Sequence, residues 1–289
     1  MNGARMMQGR RAGAVLLVPA LVLVAGVFLA PFLLLVLMSL WSQPQGSLLL
    51  DTTLTLKNYL RIFGDPFYLR GLLTTVWLSL AGTVLCLLLG VPLAWWIVRW
   101  TGRWRGFVLA LVLIPLTCGA LLPTLGLVNL LGPLGVVNGT LKALGLIDRG
   151  LPLLGNQAGI LIGLVQAFLP LMVLPLVTTF GRMPPSCEAA AMSLGARPPQ
   201  VWRHVLLPLA APGLLAGSLL VFCACLTSFV TPQVLGQGKV ATFATMAYQQ
   251  ASQVLDWPFA SALAMVMLAI LGLMGVAAWG LGWRLGAQG

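Results

Sequence analysis

One histidine, five acids and five cysteines are the whole stock from which these 289 residues could build proton-transfer, nucleophilic or metal chemistry. His204 stands in a polar stretch and reads as a surface residue rather than a base. Cys223 and Cys225 have the closeness of metal ligands, but no His or carboxylate lies near them to complete a set of four. Cys86 and Cys118 also fall in apolar runs, Cys187 falls in the polar stretch, and all five read as small apolar residues. No G-x-x-x-x-G-K-[ST] loop is present to cradle the phosphates of a nucleotide. The residues assign no catalytic group and no metal site.

The remaining composition says where the chain lives. It is 60% hydrophobic and 7% charged, against about a quarter charged in a soluble domain. That makes it an all-α polytopic membrane protein. The net charge of +11 is no nucleic-acid footprint, because the basic residues sit beside apolar spans, where they report orientation. Six spans are expected. The first runs from about Gly13 to Trp41 behind Arg5, Arg10 and Arg11; it is too long for a cleaved secretory signal and reads as a retained span. The others run from about Leu72 to Ile97, Phe107 to Leu131, Ala158 to Phe180, Leu209 to Val230, and Pro258 to Trp283. Trp95, Trp96, Arg99 and Trp100 mark an interfacial boundary, and Trp41, Trp257, Trp279 and Trp283 read as anchors of the same kind.

Alternate loops then test the orientation. Arg5, Arg10, Arg11, Arg99, Arg103, Arg105, Arg182, Arg197, Arg203 and Arg284 share one face with a single acid, Glu188. Lys57, Arg61, Arg70, Lys142, Arg149 and Lys239 share the other with Asp51, Asp65, Asp148 and Asp256. The balance of +9 against +2 places both termini and the Glu188 loop in the cytoplasm.

That loop, SCEAAAMSLGARPPQVWRHVLLP from Ser186 to Pro208, lies between the fourth and fifth spans. Pro184 and Pro185 stop the incoming helix. Ser186 is expected to cap a new one, with Glu188 in its first turn. Ala189, Ala190 and Ala191 give helix propensity and a surface of low relief. Gly195 offers a left-handed stop and Pro198 a new start. A second short helix, from about Pro199 to Leu207, would set Val201 and Val205 on one face before Pro208 hands over to the fifth span. This is a helix–turn–helix outside the lipid, smooth enough for another protein to dock.

The loop resembles the EAA loop of permease subunits of ATP-binding-cassette importers. From Gly195, nine residues lead to Val205-Leu206-Leu207-Pro208, which is the family spacing. Counted back from Gly195, the family's Glu position falls on Ala189, and Glu188 stands one residue earlier. NYLRIFGDPFYLRGLLTTVWLSLAGT (Asn58 to Thr83), SFVTPQVLG (Ser228 to Gly236) and YQQASQVLDWPFASALA (Tyr248 to Ala264) are similar to the spermidine/putrescine-type branch.

The resemblance implies an inner-membrane permease with six transmembrane helices and a cytoplasmic coupling helix between the fourth and fifth. It implies one permease domain, with 1–57 as N-terminal helix and outer segment, 58–289 as core and 182–208 as coupling loop. Its coupling residues would be Glu188, Ala189, Ala190, Ala191, Gly195, Ala196, Val205, Leu207 and Pro208. Implied partners are two ATPase subunits, a second permease that is either identical or related, and a periplasmic or lipid-anchored substrate-binding protein, all set in membrane lipid. This chain would bind no cofactor, with ATP and magnesium on the ATPase subunits, and no nucleic acid. A polyamine is the implied cargo; ferric ion, thiamine, sulfate and opines are carried by similar permeases.

The path is read from the few polar groups within spans. Gln166, Thr227, Ser228 and Thr231 are its candidates, each with helix–helix hydrogen bonding as the plainer role. Pro232 suggests that the fifth span ends or unwinds beside Thr231. Gly159-x-x-x-Gly163 and Gly213-x-x-x-Gly217 allow close helix approach. A secondary transporter would need intramembrane ionisable residues and a repeat across its halves, and neither is seen. A channel would need a polar filter, and none is evident.

Overall fold

The computed structural model describes residues 22–43, 51–100 and 102–286. They form helices α1 (Val22–Leu40), α2 (Lys57–Gly64), α3 (Pro66–Arg99), α4 (Trp104–Thr117), α5 (Leu121–Leu131), α6 (Val136–Ala143) and α7 (Gln157–Gly181). After these come α8 (Pro185–Ser193), α9 (Pro198–Val201), α10 (Leu207–Thr227), α11 (Val230–Leu235), α12 (Phe243–Gln249) and α13 (Trp257–Gly286). The strand-type pairing among the described residues is a bridge between Ser42 and Asp51. Beside it, the Thr53 backbone N–H holds the Asp51 carboxyl below the usual carboxylate range. Among the described residues, six helical segments are long and apolar enough to cross a membrane, so the all-α, six-span expectation is met. Arg5, Arg10, Arg11, the first span before Val22, and the side chains of Trp283 and Arg284 lie outside the described residues.

Three boundaries differ from the sequence expectation. The third span is not one helix. α4 ends at Thr117 with Cys118 as its C-cap, Gly119 takes φ +71, and α5 starts afresh at Leu121. The turn is left-handed, a conformation glycine adopts without strain. Pro123 falls in the first turn of α5, where its missing N–H would have had no intrahelical acceptor. The loop after α5 contains α6, so the third apolar crossing segment is Leu121–Ala143. The loop before the sixth span likewise folds into α11, α12 and a π-helical turn, Gln250–Val254. α10 stops at Thr227, before Val230, and Ser228 takes extended geometry ahead of α11.

The chain gathers into two compact units. One holds the described residues up to Gly64 together with Ala247–Val266. In it, Asn58 donates to the carbonyls of Ser39 and Trp41 at 3.0 and 2.8 Å, and the Tyr59 and Ser39 hydroxyls are 2.8 Å apart. These bonds tie α2 to the end of α1. Asp256 accepts from the Phe259 N–H at 3.2 Å, capping the start of α13, and pairs with Arg61 at 3.3 Å. The Arg61 guanidinium lies 4.1 Å over the Phe259 ring.

The other unit holds Asp65–Met246 and the chain from Met267 onward. Asp65 caps α3 by accepting from the Phe67 N–H at 2.9 Å, with Pro66 at the first helical position. The buried residues of α3 recur every three or four: Gly71, Thr75, Leu78, Gly82, Cys86, Gly90, Ala94, Ile97. This stripe packs on α7 and α10, while Leu73, Trp77, Leu80, Val84 and Leu88 on the rest of α3 stay exposed. A helix apolar all round, buried on one stripe only, suits lipid.

Small residues set how closely these helices approach. A Cβ on Gly217 would lie 2.8 Å from Met172 Sδ and 3.3 Å from the Met172 carbonyl, and one on Gly213 would lie 3.1 Å from the Pro175 carbonyl. Gly163 leaves room for Leu235 and Thr231. Both glycine pairs therefore serve packing within the subunit. α12 is held by Thr75, whose hydroxyl donates to the Gly71 carbonyl at 2.7 Å and accepts from the Phe243 N–H at 2.8 Å.

Candidate coupling site

The segment between α7 and α10 is built by prolines and one glycine. α7 ends at Gly181, and the next helix opens with Pro184 as N-cap and Pro185 at the first helical position. Ser186, the expected cap, is already inside the helix. Proline pre-sets φ for that first position and lacks an N–H that would otherwise go unpaired, so the pair of prolines starts the helix without a side-chain cap. α8 closes in a Schellman turn. Gly195 takes φ +85 and donates to the Met192 carbonyl at 3.0 Å, and Ala196 donates to the Ala191 carbonyl at 3.1 Å. The Gln200 side chain then accepts from the Arg197 N–H at 2.8 Å, fixing the start of α9 at Pro198.

The second helix of the pair is not the expected short one ending at Leu207. α9 runs through a π-helical turn, Trp202–Leu206, straight into α10, so Pro198–Thr227 is one continuous helix of 30 residues. Proline lacks an N–H for the helical ladder, and the wider turn, closed by Leu207 N–H to the Trp202 carbonyl, carries the helix past Pro208. The turn also resets the buried face. Val201 and Leu206, five residues apart, are buried, while Val205 is half-buried.

α8 has two faces. Ala189, Ala190, Met192, Ser193, Leu194 and Gly195 are exposed, and Cys187, Glu188, Ala191 and Ala196 are half-buried. Of the remaining coupling candidates, Leu207 and Pro208 are exposed. The exposed set is almost free of charge and low in relief. His204 is exposed on the π turn with Nδ1 3.1 Å from the Gln200 carbonyl.

Beneath α8 lies a cluster that sequence reasoning missed. Trp95 of α3 meets Phe180 of α7 edge-on at 5.3 Å and Trp202 of the π turn at 4.9 Å between ring centroids. The Arg99 guanidinium lies 4.4 Å over the Trp95 ring and pairs with Glu188. Trp95 and Arg99 had the composition of a membrane boundary, which is where Trp96 does fit: it is exposed and meets Trp100 at a tilt, with ring centroids 4.1 Å apart. Which of two adjacent tryptophans turns inward depends on the α3 stripe, whose three-to-four spacing ends at Ala94 and Ile97.

The path candidates differ in exposure. Gln166 is half-buried midway along α7. Thr227 is exposed, its hydroxyl donating to the Cys223 carbonyl at 2.8 Å. Ser228 is half-buried at the end of α10, and Thr231 is fully buried with no hydrogen-bond partner for its hydroxyl among the described residues. No cluster of three or more His, Cys, Asp or Glu gathers among the described residues.

No family model matches the chain. It is 32% identical over 225 residues to the spermidine/putrescine transport system permease protein PotB of Escherichia coli (strain K12), covering 78% of this chain and 82% of that protein. It is 32% identical over 232 residues to the inner membrane ABC transporter permease protein YdcU of the same organism, covering 76% and 74%. Its fold is that of a chain in the crystal structure of a bacterial alginate ABC transporter in complex with an alginate pentasaccharide-bound periplasmic protein. There the TM-score is 0.78 at 16% identity, over 99% of this chain and 98% of that one. Six apolar helices, a proline-started helix pair between the fourth and fifth, and this degree of identity over most of the length fix the family: the chain belongs to the permease subunits of ABC importers, multi-pass inner-membrane transport proteins and not enzymes.

Proposed function

We propose that this permease passes a polyamine, delivered by a substrate-binding protein, through a pore shared with a second permease subunit, driven by two cytoplasmic ATPase subunits. The observation that carries the cargo is the identity to a spermidine/putrescine permease over 225 residues. Both termini and α8 face the cytoplasm, as the charge balance between alternate loops supports. ATP and magnesium sit on the ATPase subunits.

The docking face is the exposed side of α8 with its turn, Ala189, Ala190 and Gly195, continued by Leu207 and Pro208. Its near absence of charge and relief supports this reading. Ala191, Ala196 and Val205 hold the helix pair against the bundle. When the ATPase subunits close on ATP, this pair moves with them, and α10, continuous with α9, carries the movement into the membrane. The path runs past Gln166, Thr227 and Ser228, and Thr231 joins it when α11 moves away from α7; the unpartnered hydroxyl supports that last step. Each of the five acids serves a local contact or stands outside the spans: Asp65 and Asp256 cap helices, Glu188 pairs with Arg99, and Asp51 and Asp148 lie in loops. Cation selectivity therefore rests with the binding protein.

The test is uptake by the assembled complex in liposomes, with ATP inside and the loaded binding protein outside. Spermidine or putrescine is expected to stimulate hydrolysis and enter. Stimulation by ferric ion, thiamine, sulfate or an opine instead would replace the cargo and leave the machinery standing. Transport by this chain alone, without an ATPase subunit, would overturn the machinery itself.

A further inference from the structure

Glu188 is the sole glutamate of the sequence, and it does not face outward with its alanine neighbours. One residue along a helix is a rotation of about 100°, so a carboxylate at 188 and one at 189 address different surroundings. Ala189 is exposed, whereas Glu188 sits on the half-buried side with Cys187 and Ala191. Its partner there is Arg99, in the last turn of α3. Arg99 is itself seated on the Trp95 ring, which touches Phe180 of α7 and Trp202 of the π turn.

α8 is otherwise lightly held. It packs mainly on α9 and the π turn. A cleft of about 610 Å³, lined by residues that include Thr178, Arg182, Met183, Cys187 and Pro212, opens between it and the ends of α7 and α10. A push on the outer face of α8 thus has a backbone route into α10 and one side-chain route into α3.

We infer that the Glu188–Arg99 pair is a strut inside this subunit that carries displacement of the coupling helix into α3, so that α3 moves in step with α10. The strut rests on the reading of α8 as the docking helix. The side chains of Arg99 and Glu188 are 36% and 27% exposed, and a pair so open to water contributes little to stability. Its loss should therefore be read in coupling and hardly in folding.

The experiment uses the whole importer complex in liposomes, measuring spermidine uptake and ATP hydrolysis on the same sample. Glu188→Gln and Arg99→Gln are each expected to go on hydrolysing ATP while uptake per ATP falls at least about fivefold, the lower end of ordinary coupling between sites. The exchanged pair, Arg99→Glu with Glu188→Arg, should regain most of the ratio, and Arg99→Lys, which keeps the charge, should stay within about twofold of the unmutated complex. An unchanged ratio in both Gln variants overturns the strut. So does an Arg99→Lys complex as uncoupled as Arg99→Gln, or loss of the ATPase subunits from Glu188→Gln that the exchange does not restore. If the unmutated complex takes up nothing, the importer reading falls first and the strut with it, an outcome distinct from uncoupling in the variants alone.

Discussion

Substitution of Gly195 separates the geometry of the proposed docking turn from its chemistry. At φ +85 a built Cβ meets no atom within 4 Å, so any penalty is backbone strain and not collision. An L-residue in the left-handed region costs roughly 1–2 kcal/mol, and Asn, which tolerates that region, belongs at about 1 kcal/mol. Asp has the same shape as Asn. Its negative charge sits at the C-terminal end of α8, where the helix dipole opposes it by about 0.3–1 kcal/mol. If the face is covered by an ATPase subunit, the unpaired charge is also stripped of water, and a desolvation penalty of about 2 kcal/mol, the part that arises only on docking, would weaken docking roughly 30-fold. Gly195→Asn is expected to retain the ATPase subunit on co-purification and most of the substrate-stimulated hydrolysis, while Gly195→Asp loses both. Equal, near-normal behaviour of the two would refute docking at this turn. Equal loss would show that the turn's shape matters and its surface does not.

Three further outcomes test the packing. Thr75→Val leaves the buried Phe243 N–H unpaired and should cost about 1–3 kcal/mol, seen as a lower thermal midpoint of the purified protein, whereas Thr75→Ser should be close to unmutated. Gly217→Val drives a branched side chain against the Met172 backbone; overpacking of about 1–3 kcal/mol should lower the midpoint, with Gly217→Ala intermediate, and a wild-type midpoint for Val would deny the close α7–α10 contact. Thr231→Val removes a buried hydroxyl that has no hydrogen-bond partner among the described residues, so stability should be kept or raised, since such a buried hydroxyl costs about 1–3 kcal/mol. A fall in uptake with undiminished stability would then place that hydroxyl in the path, and unchanged uptake would remove it.

The sequence by itself determined the class, the number of spans and the place of the helical segment between the fourth and fifth spans. Lipid forces these to be written locally: a span needs an unbroken apolar run because its backbone must bond within itself, and proline and glycine act on the few residues around them. Pro184, Pro185, Gly195 and Pro198 accordingly stand at the helix boundaries the structure shows, although Pro185 rather than Ser186 starts α8. Where two local signals competed, the composition was silent. Leu, Pro, Thr and Gly around residues 115–123 are apolar enough to read as one span, and the left-handed Gly119 divides it. Pro208 reads as a stop, and a π turn passes it. Only tertiary structure decided which side of a helix faces what. Trp95 turns inward and Trp96 outward although they are neighbours of one type, because the α3 stripe is fixed by packing on α7 and α10. In the same way, a single position on α8 separates a carboxylate that could meet another protein from one that meets Arg99. That choice depends on a partner 89 residues away, and no local pattern encodes it.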